Sequence, residues 1–144
     1  MRTIAFTGQD GYVGFIVAVS DRIPLEQIAL LDVPYNSIGL KCDYSIVDNE
    51  SIPDKYFWKA CKLVDGELSV DIESAKKVHL DTLRGLREEK FKQLDIESIK
   101  ALESGDAVKL ASISSKKQAL RDVTKIPLPS TLEEIKATLP AILA

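Results

Sequence analysis

The side chains able to do chemistry are few and widely spaced. His79 is the only histidine in 144 residues. It stands in the charged run KKVHLD with no second histidine or cysteine at ligand spacing, which is the setting of a surface or packing residue. A Ser-His-Asp site would have to be assembled around this one imidazole, and no GxSxG elbow is present. Cys42 and Cys61 have neither CxxC spacing nor neighbouring histidines, so a zinc site is not expected. The glycines of GQDGYVG, Gly8 to Gly14, suggest a phosphate-cradling loop only superficially. The stretch lacks the lysine and Ser/Thr of a P-loop and does not match GxGxxG opening a helix, so a hairpin turn is the expectation. DNESIPD, Asp48 to Asp54, is acidic but lacks the glycine and terminal glutamate of an EF-hand, and reads as a solvated loop. No catalytic, cofactor-binding or metal-binding residue emerges, and a non-enzymatic protein is expected.

Composition narrows the class further. The chain is 45% hydrophobic and 28% charged, with 19 Lys and Arg against 22 Asp and Glu and a net charge of −3. That is a soluble globular composition. Binding nucleic acid leans on cations that neutralise phosphates, and the longest basic block here is a lysine pair, so nucleic acid is excluded as an expected partner. Apolar runs are broken by Gly, Pro or charge well before the length needed to cross a bilayer, and no membrane partner is expected. Met1-Arg2 leads straight into a strand-like run without a signal-peptide pattern. The cysteines are therefore expected to be reduced, in a protein made in the cytoplasm.

The elements that position these residues fall into two halves. Arg2 to Thr7 and Tyr12 to Val19 read as strands joined by GQDG. The second, YVGFIVAV, is almost wholly apolar and reads as a central strand, with Gly14 marking a bulge. Pro24 opens a short helix in which Leu25, Ile28 and Leu31 recur at helical spacing, and Pro34 stops it. SIGLKCDYSIV alternates in part, placing Ile38, Leu40, Cys42 and Tyr44 on one face of a strand. KYFWKACKLVDGELSV reads as two strands around Asp65-Gly66, a type I′ turn signal.

From about Asp71 the pattern becomes helical. Val78, Leu83, Leu86, Phe91 and Leu94 line one side of a first helix, with Gly85 a weak point, and Asp95 begins a further helical segment with Ile96, Ile99 and Leu102. Ser104-Gly105-Asp106 breaks the helix, and Asp106 N-caps the next, which runs to about Val123. After Pro127 and Pro129, Ser130 or Thr131 caps a last short helix with Glu133 or Glu134 in its first turn. The expected fold is α+β: a small, mainly antiparallel β module over residues 1–70, then a helical arm over 71–144 made of a helical hairpin and a short terminal helix.

The densest aromatic cluster is Tyr56, Phe57 and Trp58. In a strand it sends Tyr56 and Trp58 to one face and Phe57 to the other, serving either as core or as an interface anchor. The amphipathic arm likewise offers an apolar face to a partner groove.

One further signal comes from the order of segments in the second half. LRGLREEKFKQLD, then ALESGD (Ala101 to Asp106), KKQALRDVT (Lys116 to Thr124) and STLEEIKATLP (Ser130 to Pro140) together resemble the C-terminal region of small tailed-bacteriophage tail and tail-fibre-associated proteins, including tail-assembly chaperone-like ones. The resemblance covers roughly the last half of the chain. It implies a bacteriophage tail or tail-fibre-associated structural protein, made in the host cytoplasm and located in the virion tail. The alternative it implies is a transient assembly chaperone absent from the mature particle. Its implied partners are other phage tail or tail-fibre proteins, and a homo-oligomer would suit a symmetric tail. It further implies that Leu83, Leu86, Leu94, Leu102, Leu120 and Val123 pack the helices and that Arg121 holds the helix end, through the last carbonyls or a neighbouring carboxylate. The candidate protein interface is thus Tyr56, Phe57 and Trp58 together with Leu83, Leu86 and Arg121.

Overall fold

A computed structural model describes residues 1–144, and the fold is α+β as expected. The chain divides into two compact units, Met1–Ala75 and Lys76–Ala144.

In the first unit β1 (Arg2–Thr7), β2 (Val13–Ile16) and β3 (Tyr44–Asp48) form an antiparallel sheet in the order β2-β1-β3. Alternation along the strands builds two faces. Ile4, Phe6, Ile16 and Ile46 pack with α1 (Leu25–Asp32) through Leu25, Ile28 and Ala29. On the other face Ala5, Val13, Phe15 and Val47 meet the hairpin of β4 (Cys61–Val64) and β5 (Glu67–Val70) through Cys61, Leu63 and Leu68. The β1–β2 connection is the expected hairpin: Gly8 N donates to Tyr12 O at 2.8 Å and Tyr12 N to Asp10 Oδ1 at 3.1 Å. Asp65 and Gly66, at φ 50 and 81, make the type I′ turn between β4 and β5.

Several sequence expectations are corrected here. Of YVGFIVAV only Val13–Ile16 is a strand, and it is an outer strand, not the central one, because β1 takes the middle of the sheet. Gly14 is no bulge. It pairs with Phe6 in an unbroken ladder, and a Cβ there would come within 2.5 Å of the Phe6 ring. Ile38 and Leu40 are not on a strand. Asn36 Oδ1 accepts from Ile38 N (3.1 Å) and Leu40 N (2.9 Å), and Gly39 at φ 79 closes a turn that leaves both side chains exposed. Leu31 points away from the sheet, and Ala29 with Ile28 fills its expected place.

The second unit carries most of α2 (Ile72–Glu103), then α3 (Ala107–Asp122) and α4 (Leu132–Ala137). α2 runs unbroken through Gly85 and Asp95. Its end is a Schellman motif: Gly105 N donates to Leu102 O, Asp106 N to Ala101 O, and Gly105 has φ 67. Asp106 then caps α3 by accepting from Lys109 N at 2.9 Å. Leu83, Leu94 and Ala101 of α2 share a core with Ile113, Leu120 and Val123, and Lys117 Nζ meets Asp95 at 2.7 Å across the hairpin. Thr131 is the residue that caps α4, accepting from Glu134 N and donating its hydroxyl to Glu134 Oε2 at 2.8 Å. Leu86 and Leu102 do not pack the helices. Leu86 follows Leu83 by three residues and is turned about 60° off its line, and the two are 43% and 63% exposed.

Candidate functional site

The aromatic cluster is a 3-10 turn, Lys55–Ala60, rather than a strand. Asp54 nucleates it: its Oδ1 accepts from Tyr56 N at 2.9 Å and its carbonyl from Phe57 N at 2.8 Å. The turn distributes the rings differently from a strand. Phe57 is 1% exposed and belongs to the core, with Tyr56 edge-on to it at 4.8 Å. Trp58 is half-buried. Its ring lies 4.7 Å from Phe15 of β2, its Nε1 donates to Pro53 O at 3.1 Å, and Lys55 Nζ sits 5.7 Å above it. Tyr56 and Trp58 remain within reach of a partner; Phe57 does not.

In the second unit the three candidate residues separate. Leu83 is a core side chain at 1% exposure, which agrees with its expected packing role and not with the interface one. Leu86 is exposed. Arg121 is also exposed, and its Nη1 donates to Gln118 Oε1 at 3.2 Å rather than to the helix-end carbonyls. The adjoining Asp122 carboxyl is held below the usual carboxylate range by Lys125 and Gln118, which fixes the last turn of α3.

The chemically able groups lie in separate surroundings. His79 is buried, with Nε2 2.7 Å from Thr138 O; a carbonyl only accepts, so Nε2 donates. Cys42 packs on the α1 face of the sheet and Cys61 on the hairpin face; both are free thiols, and burial raises the pKa of Cys61. No group of three or more His, Cys, Asp or Glu is gathered in a way that would hold a metal ion, and no helix is long and apolar enough to cross a membrane.

One exposed apolar set in the first unit is one that the sequence pattern assigned in part to the interior. Leu30 and Leu31 on α1, and Tyr35, Ile38 and Leu40 on the turn after it, are each more than half exposed. The turn is well tied. Tyr35 bridges to Lys41, Asn36 N donates to Leu40 O at 2.6 Å, Gln9 Nε2 donates to Tyr35 O at 2.7 Å, and Lys41 Nζ reaches Val33 O while lying over the Tyr35 ring. NSIG, a turn signature inside an apolar run, is the signal that marks it.

Comparison with protein-family models, with curated proteins and with solved structures gives no match.

Proposed function

We propose that this chain is a non-enzymatic, tail- or tail-fibre-associated structural protein of a bacteriophage, made in the host cytoplasm and working through contacts with other tail proteins in the virion. Two lines support the reading. One is the resemblance of the second half, whose segments form a charged helix, a Gly105 turn, a second helix and a Thr131-capped helix in that order. The other is the exposed apolar set Leu30, Leu31, Tyr35, Ile38 and Leu40, and this observation carries the most weight. Large apolar side chains held in water by a hydrogen-bonded turn gain free energy when a partner covers them, about 25 cal/mol per Å² of apolar surface.

The test is recovery of a tagged chain from infected cells with identification of bound proteins by mass spectrometry. Tail or tail-fibre proteins are expected with the wild type, and Ile38→Asp or Leu40→Asp should remove them while circular dichroism stays unchanged. Recovery without any tail protein would refute the reading. Full recovery by both variants would move the contact off this turn.

A further inference from the structure

We propose that β2 is a dimerisation edge, along which two copies of this chain join their sheets antiparallel about a two-fold axis at Phe15. Gly8 N donates to Tyr12 O, and Gly8 and Tyr12 lie in the register that pairs Thr7 with Val13, Phe6 with Gly14 and Ile4 with Ile16. Hydrogen-bonded and non-bonded pairs alternate along an antiparallel ladder. Tyr12, Gly14 and Ile16 therefore turn their N–H and C=O towards β1. Val13 and Phe15, and Val17 where the alternation continues, turn theirs away from it. Thr7 N, which donates to Asp43 O on the β3 side at 2.9 Å, gives the same phase independently.

Because β2 is an outer strand, those outward groups pair with no further strand of the sheet. Folded proteins usually guard such an edge with charge or proline. Tyr12 to Val19, YVGFIVAV, has neither. The opposite outer strand, β3, is bracketed by Asp43 and Asp48, which disfavour an acidic copy of itself. Of the two edges only β2 faces its own copy without like charges.

The self-pairing register follows from the same phase. With Phe15 on the axis, Phe15 faces Phe15 and Val13 faces Val17 of the second copy, so every outward-turned group meets another. Val17 and Val19, which follow the end of β2 and are 58% and 104% exposed, lie on the segment that the second copy would cover as the strand extends. Alternation places Val17 on the sheet face that carries Val13 and Phe15, where cross-strand apolar pairs form. The pairing depends on sheet order and strand charge alone, so it does not rest on the tail assignment.

Sedimentation of the full chain over a wide concentration series, with hydrogen exchange measured at both ends of it, tests the proposal. A monomer–dimer equilibrium is expected, and the amides of Val13, Phe15 and Val17 should gain protection as the dimer forms. Val17→Pro removes an outward N–H without touching the β1 ladder, and should leave a monomer at concentrations where the wild type is dimeric. Val17→Lys, which adds charge to the same edge, should do likewise, each with an unchanged far-ultraviolet spectrum. A monomer throughout the wild-type series would overturn the proposal, as would a dimer whose exchange footprint avoids β2. The wild-type exchange result decides even if a variant fails to fold.

Discussion

Asp54 changes the meaning of its three aromatic neighbours. By capping a 3-10 turn it sends Phe57 inward and leaves Tyr56 and Trp58 half-buried, so one run of rings splits between packing and surface. Phe57→Ala should lose about 3–5 kcal/mol of stability by urea denaturation, the usual cost of an emptied phenylalanine site. Tyr56→Ala should cost less, since Tyr56 is only partly buried. If Tyr56 joins an assembly contact, its loss should weaken partner recovery more than it lowers the urea midpoint. Asp71 makes a second point about single residues. Its carboxylate accepts from the Ser74 hydroxyl and from Ser74 N at 3.2 Å, with Lys62 at 3.3 Å, and these, the Ser74 hydroxyl first, hold its pKa below the usual value against an opposing desolvation. A depressed folded pKa stabilises the native state above the unfolded carboxylate value near ~4 and stops doing so as pH falls through the folded value. The urea midpoint should thus fall as pH drops below about 4. In Asp71→Asn this part of the decline should be missing.

At the level of elements, the Ser104-Gly105-Asp106 connection ends one helix and starts another. Gly105 at φ 67 closes the Schellman motif, and Asp106 serves both as its last donor and as the cap of α3. Asp106→Ala should cost about 0.5–2 kcal/mol, measured by thermal or urea unfolding. Gly85 gives the opposite expectation. It lies inside α2 with open space where a Cβ would stand, so Gly85→Ala should stabilise by roughly 0.8–1 kcal/mol. These local features were legible in the chain. The Asp65-Gly66 turn, the Gly105 break and the Thr131 cap each depend on a few adjacent residues whose backbone preferences agree with the fold. What could not be read was decided by distant partners. YVGFIVAV has the composition of a central strand, yet β1 occupies that place through pairing with β3, more than thirty positions further along the chain by the Ile4–Ile46 register. Tyr56 to Trp58 has strand-forming residues, and Pro53-Asp54 before it outweighs them by supplying a turn and a cap. Leu86 and Leu102 follow the helical period loosely, and only the packing of α3 on α2 selects Leu83 and Leu94 over them.

Over the whole molecule, the pattern is of two separately cored units with apolar side chains left outside each core. In the first these are the Leu30–Leu40 set and the β2 edge; in the second they include Ile96, Ile99 and Leu102 on α2. The proposed interface residues were only partly legible because exposure is the difference between amphipathic pattern and actual packing. Leu83 fits the pattern and is buried, whereas Leu40 fits an imagined strand and is exposed. The proposed tail role requires the protein to remain in the finished particle. For that proposed role the most direct measurement is quantitative mass spectrometry of particles purified from the infected cells that produce the chain. The account predicts the protein there in fixed ratio to other tail proteins; its presence in infected-cell lysate but absence from the particles would contradict the structural role and point to a transient assembly chaperone.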